Sequence, residues 1–428
     1  MNKELKTIFL AVGLCLLFIS CKEIHPKFEK KFPLEILINP NDSRTDSIRL
    51  SEFAGKVEYI PLQTNDSILL DYVYNFKVTN DFIFVENGLD LLRFDTGGRF
   101  INKVYNTGRG PGETLPVCSA IDEEHERVFV SDRDKTIKVY SYTGDYLTEF
   151  KKPVNPVESL PPRKIEYFEN HLFVSVPQRP GVKFIYSLFN LGTDSIIPLY
   201  RNEYSYTREQ LSKWPSIILD DCYCHIFDTS LIFKEKFCDT VFILNRNLDV
   251  SPRFIINLGE RKLKWETWRD NGMFNIGAGL PEGFWVHSVA ESKSYLFLTL
   301  SSFKRPKIFA LFDKESGKIE LSTIADFDSR GNQVFLKNDL DFLADFPVFS
   351  KSEGHIFYSG ECLYSVLEAK YFSETYGKAT EESKNSSEYL RNMRPVFGSV
   401  NEFSNPVIMK VYLKQNTKAG LFEKMGNK

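Results

Sequence analysis

Phe129-Val130-Ser131-Asp132, a polar gap, Ile137–Tyr140, the turn Thr143-Gly144-Asp145 and the run Asp145–Phe150 make up the stretch that decides the fold. It reads strand, strand, turn, strand: β-branched and aromatic residues favour extended backbone, and Gly and Asp supply the reversal. The doublet recurs at Phe84-Val85, Phe173-Val174, Ile232-Phe233, Phe297-Leu298 and Phe357-Tyr358, spaced 44 to 65 residues apart. Second strands follow at Leu91–Phe94, Phe184–Phe189, Val241–Leu244, Ile308–Phe312 and Leu363–Leu367. Turn clusters such as Asp95-Thr96-Gly97-Gly98 and Asn245-Arg246-Asn247 come next. Long helical patterns between the units are missing, which counts against a parallel α/β sheet. Six units predict an all-β chain, a six-bladed β-propeller in which stacking around a ring covers both faces of each sheet.

The ring must also close. Lys56-Val57-Glu58-Tyr59-Ile60-Pro61-Leu62 precedes the first doublet and belongs to no complete unit, while Pro406–Leu413 ends the last. These predict closure by pairing of the N-terminal and C-terminal strands, with the first as the outermost strand of the final blade. The alternative is an open ring with the tail as a separate cap. Ala379–Arg394 predicts one amphipathic helix, with Tyr389, Leu390 and Met393 on one face.

Lys3 and Lys6 lead into the apolar stretch Ile8–Ile19, which fits a signal-peptide core and falls short of the ~20 residues a membrane helix needs. Leu17-Phe18-Ile19-Ser20-Cys21 resembles a bacterial lipobox, which implies lipidation of Cys21. Lys22-Glu23 looks like part of an export signal to the outer face of the outer membrane, so the expected location is an outer-membrane lipoprotein, surface-exposed or periplasm-facing. The division expected is a signal peptide over 1–20, a lipidated flexible tether over 21–50, the propeller over 51–415 and a tail over 416–428. Contact with a membrane is then through the lipid alone, and the body is read as a monomer.

With 428 residues, 54 Lys+Arg against 57 Asp+Glu and a net charge of −3, the chain lacks the basic surplus of a nucleic-acid binder. Five cysteines remain beyond Cys15 and Cys21: Cys118, Cys222, Cys224, Cys238 and Cys362. An odd number argues against a disulfide framework, although a bond from Cys222 or Cys224 to Cys238 is left open. Cys222 and Cys224, at i and i+2, point the same way along a strand.

Tyr59-Ile60-Pro61-Leu62-Gln63-Thr64, Leu92–Phe100, Gly108-Arg109-Gly110-Pro111-Gly112-Glu113, Phe129-Val130-Ser131-Asp132, Asn338-Asp339-Leu340-Asp341 and Asn405-Pro406-Val407-Ile408 together resemble a known group. These are lipid-anchored six-bladed β-propellers, related to NHL repeats, of glycan-degrading Gram-negative bacteria. The resemblance spans residues 50–415 and implies fold far more than activity.

Gly108–Glu113 lacks the Lys-Ser/Thr of a Walker loop, and Pro111 removes an N–H donor, so the segment reads as an interblade crossover in which Arg109 and Glu113 tie neighbours together. The competing role puts Arg109 and Glu113 at a ligand surface. Leu263–Trp285 reads as an insertion at one end of the ring, holding Trp265, Trp268, Arg269 and Asp270. Trp faces with neighbouring polar groups suit a sugar ring; equally, such Trp pack a long loop. The six His form no metal-ligand spacing, no Gly-x-Ser-x-Gly elbow exists, and no cofactor or metal is implied. Asp132, Asp134 and Asp341 read as turn residues. The leading function is a non-enzymatic binding module for a glycan, peptide or partner protein at the ring mouth. A polysaccharide hydrolase or lyase and a structural subunit of an outer-membrane transport complex are the competitors.

Overall fold

The computed structural model describes residues 32–42, 48–66, 68–70, 73–134, 136–151, 162–176, 182, 184–201, 222–235, 237–264, 266–267, 282–323, 335–348, 357–382 and 394–414. Six antiparallel sheets follow one another around a ring. From inside to outside, blade 1 is Val73–Val78, Phe82–Asn87, Asp90–Asp95 and Phe100–Lys103; blade 2 is Pro116–Asp122, Arg127–Asp132, Thr136–Ser141 and Tyr146–Lys151. Blade 3 is Lys164–Phe168, His171–Ser175, Phe184–Asn190 and Ile196–Arg201. Blade 4 is Cys222–Phe227, Ser230–Glu235, Thr240–Leu244 and Val250–Asn257; blade 5 is Trp285–Glu291, Tyr295–Ser301, Ile308–Asp313 and Ile319–Thr323. Blade 6 runs Phe357–Ser359, Cys362–Leu367 and Val407–Leu413, and its fourth, outermost strand is Ala54–Pro61 from the other end of the chain. The closing register pairs Val57 with Val411, Tyr59 with Met409 and Pro61 with Val407.

The doublets explain themselves once the blades are stacked. Phe84 packs toward blade 2 and Val85 toward blade 6; Phe129 and Val130, Phe173 and Val174, Ile232 and Phe233, and Phe297 and Leu298 divide the same way between following and preceding blades. A strand buried on both faces carries consecutive apolar residues instead of alternating ones. The sixth doublet is the exception. Phe357-Tyr358 lies on the innermost strand of its blade, and the second strand is Cys362–Leu367.

Three expectations change. Each blade has four strands, because an inner strand of mixed polarity precedes the first five units counted from the doublets, and Ala54–Pro61 supplies the fourth strand of the sixth. The helix runs Ala369–Glu382, ten residues earlier than read, and buries Phe372 and Tyr376 against Tyr59 and Phe397; Tyr389, Leu390 and Met393 lie outside the described residues. Within the segment read as a flexible tether, Leu34–Leu37 is a strand. Leu34–Leu37 adds a fifth, parallel strand to the rim of blade 4, with Leu34, Ile36 and Ile38 buried, and Ile48 and Leu50 are buried between blades 5 and 6. Leu34 and Ile36 share one face of the strand and cover the rim, while Glu35 and Leu37 on the other face are exposed.

Candidate functional site

The six inner strands enclose a central channel of about 1030 Å³. Because consecutive strands in a blade alternate in direction, the hairpin turns between first and second strands all emerge at one mouth. Five of those six turns carry acid: Asp81, Glu123 with Glu124, Glu169, Asp228 and Glu361, against Lys293 in blade 5. Glu169 and Asp228 hold left-handed backbone there, with φ of 47° and 54°.

Deeper in, the charges are tied to one another. Lys77 Nζ of blade 1 reaches Glu166 of blade 3 at 2.9 Å, spanning the inner strand of blade 2. Ser119 Oγ donates to Glu86 Oε1 at 2.5 Å. Asp122, fully buried, takes Arg127 at 2.6 Å and His125 at 3.0 Å. Between blades 4 and 5, buried Glu291 accepts from Arg253 at 2.6 and 2.7 Å and from Lys314 at 2.6 Å. These cations outweigh the burial that would otherwise raise its carboxyl, and the pKa is lowered.

On the blade 4 inner strand, Cys222 and Cys224 face blade 3, and Tyr223 and His225 face blade 5. Lys164 of blade 3 places its ammonium 5.6 Å from the centre of the Tyr223 ring. Burial alone would depress Lys164, but the sulfurs of Cys224 and Cys222 and the Glu166 carboxylate prevail, and its pKa is raised. The hydrogen bond from Cys222, and then the nearby Lys164 charge, lower Cys224, while burial pushes Cys222 well up. All five described cysteines are free thiols, so the bond to Cys238 left open by the sequence is not formed.

His225 accepts the Glu291 N–H at its Nε2, 3.3 Å away, and burial pulls its pKa down to about 4. A folded-state value below the ordinary 6.5 means the neutral ring is the stabilised form. Its contribution is complete above pH 6.5 and drains away as pH falls toward 4, an expected loss of about 3 kcal/mol. Urea unfolding at pH 7, 5.5 and 4 should show that drop, and His225→Gln should remove that share of it. Equal drops in both proteins would refute the assignment.

Of the residues singled out from sequence, Trp265, Trp268, Arg269 and Asp270 lie outside the described residues. Arg109 and Glu113 sit in the crossover from blade 1 to blade 2 and do not line the channel. Glu113 folds back on its own loop, accepting the Gly110 N–H at 2.7 Å. A Cβ at Gly108 would stand 2.0 Å from that carboxylate, so a larger residue there would push the Glu113 side chain off the Gly110 N–H. The tie to the blades is made by other groups: Thr107 Oγ1 donates to Leu89 O and Asp90, and Lys138 Nζ and Tyr140 OH donate to the carbonyls of Glu113 and Gly112. Arg109 is exposed. Cys21 also lies outside the described residues. The sequence reading missed Lys77, Lys164, Glu166 and His225, all on inner strands; the polar alternation Lys164-x-Glu166 beside a Cys-x-Cys was the available signal.

A family model described as a domain of unknown function, DUF4934, matches residues 35–412. No curated protein matches the sequence. Among solved structures, a protein of Bacteroides fragilis described as a candidate exported protein is similar in fold, with a TM-score of 0.61, 15% identity, and coverage of 89% of this chain and 99% of that one. A member of the DUF4221 family from Bacteroides vulgatus gives a TM-score of 0.46 at 11% identity, covering 84% of this chain and 97% of the other. With nearly all of its blades inside the matched span, the chain belongs to the DUF4934 family, a domain of unknown function built here as a six-bladed β-propeller.

Proposed function

We propose that the chain is a lipid-anchored, extracytoplasmic binding scaffold that holds a glycan, a peptide or a segment of a partner protein at the acidic mouth of its channel. One observation carries the reading: the deep carboxylates Glu86, Asp122, Glu166 and Glu291 are each committed to a fixed partner, while the acidic turns of the rim are presented outward on a rigid ring. Paired carboxylates stabilise a frame; at the rim Glu123, Glu169 and Glu361 are likewise tied, to Asn80, Arg246 and Tyr358, whereas the exposed carboxylates of Asp81, Glu124 and Asp228 stand on short hairpins where a ligand can meet them. The similar fold of a candidate exported protein, together with the lipobox-like run ending in Cys21, supports the location. On this reading twelve residues separate Cys21 from the strand at Leu34, a reach of about 40 Å at full extension.

The test presents the full chain in detergent to glycan and peptide arrays, with products assayed alongside. Binding without turnover is expected, and Glu124→Gln combined with Asp228→Asn should weaken it about tenfold. Release of product would replace the scaffold with an enzyme. Radiolabelled palmitate should enter the wild-type protein and not Cys21→Ala.

A further inference from the structure

We propose that Cys222 and Cys224 form a two-coordinate site for a soft monovalent metal ion, Cu(I), with the Lys164 ammonium as its counter-charge. The site lies inside the channel, away from the rim, and stands independently of the binding-scaffold reading.

Both cysteines line the channel, Cys222 half-buried and Cys224 buried. Their strand is held to its neighbour by the pairs Cys222–Glu235 and Cys224–Phe233, so the two side chains leave the same face of extended backbone. Residues i and i+2 of a strand lie about 6.6 Å apart at Cα. That is the far end of what a disulfide tolerates, ~4.4–6.8 Å. Forming one would buckle a paired strand. A linear sulfur–metal–sulfur bridge spans roughly twice the ~2.05 Å of a sulfur–sulfur bond, and so suits two thiols that leave one face of a strand without being bonded to each other.

Charge selects the ion. Lys77 and Lys164 both line the channel with the two cysteines, and Glu166, ion-paired to Lys77, offsets one of them. The Lys164 ammonium is left against the Tyr223 face, in the middle of Cys222-Tyr223-Cys224. Binding releases two protons: Cu(I) plus two thiols gives a bis-thiolate complex of charge −1 and two H⁺, with no change of oxidation state. That single negative charge is what Lys164 balances. Zinc prefers four ligands, and among the described residues no group of three or more His, Cys, Asp or Glu is placed to hold an ion. Thiolates favour Cu(I) over harder cations.

The experiment titrates the full chain anaerobically with Cu(I) against a chromophoric Cu(I) chelator. One ion per chain is expected, with two protons released, read from calorimetry in buffers of different ionisation heat. Cys222→Ser and Cys224→Ser should each lower affinity more than ~100-fold, and Lys164→Met by about tenfold. Cys362→Ser, in blade 6, should change nothing. Should a serine variant fail to fold, one equivalent of Cu(I) must still protect Cys222 and Cys224 of the wild-type protein from alkylation, mapped by peptide mass. Unprotected thiols at one equivalent, or a serine variant that binds as the parent does, would overturn the site.

Discussion

Deleting Ala54–Pro61 is expected to abolish the cooperative folding of the entire ring, not of one blade. The strand pairs along its length with Val407–Leu413, and its Val57 and Tyr59 are buried with Phe297, Leu363 and Met409. Tyr59 also receives the Asn338 Nδ2 hydrogen bond at 3.0 Å and sends its own hydroxyl to Asp341 at 3.1 Å. Each fully buried side chain of this size contributes about 2 kcal/mol, and the ladder bonds of Val407–Leu413 would be left facing water. The sum rivals the ~5–15 kcal/mol that holds a typical domain together. A milder version, Tyr59→Ala, should cost about 3–5 kcal/mol and remain measurable by urea unfolding. A truncated chain melting as high as the parent would mean that the seam does not hold the ring.

The second large effect is expected at Glu291. Glu291→Ala leaves Arg253 and Lys314 facing each other without their shared carboxylate; Lys314 is 5% exposed and Glu291 0%. Stranding a buried charge costs about 3–5 kcal/mol, whereas exchanging a whole ion cluster for well-packed apolar residues is often neutral. Glu291→Ala should therefore be far more damaging than Arg253→Leu, Glu291→Leu and Lys314→Leu combined. Denaturant midpoints of the parent and the two variants decide it. Because Glu291 joins blade 4 to blade 5, the unfolding should remain a single transition.

The repeat was legible because its strands are buried on two sides: Phe84-Val85 and Phe129-Val130 must be apolar in succession, and a doublet is hard to miss. Closure was legible for a different reason. Lys56–Leu62 is a strand without a unit, and an unpaired strand has to go somewhere. The inner strands were not legible as strands. Lys164-Ile165-Glu166 and Cys222-Tyr223-Cys224 interleave polar and apolar residues because one edge of each meets the channel, and such a pattern passes for loop. The pairing of Lys77 with Glu166 joins residues 89 apart in sequence, a relation that only the curvature of the ring creates. The same holds for Arg253, Glu291 and Lys314. Arg109 drew notice from its glycines, which serve the Glu113 carboxylate instead.

The strand Leu34–Leu37 has a mechanical meaning. Any pull delivered through the first thirty residues arrives at the rim of blade 4, and must strip four residues of parallel ladder there before tension passes toward Ala54–Pro61. The strap thus works as strain relief, like the clamp on a cable. A jerk from whatever holds the leading end is spent on a short, re-formable contact, and the weld between first and last blades never carries it.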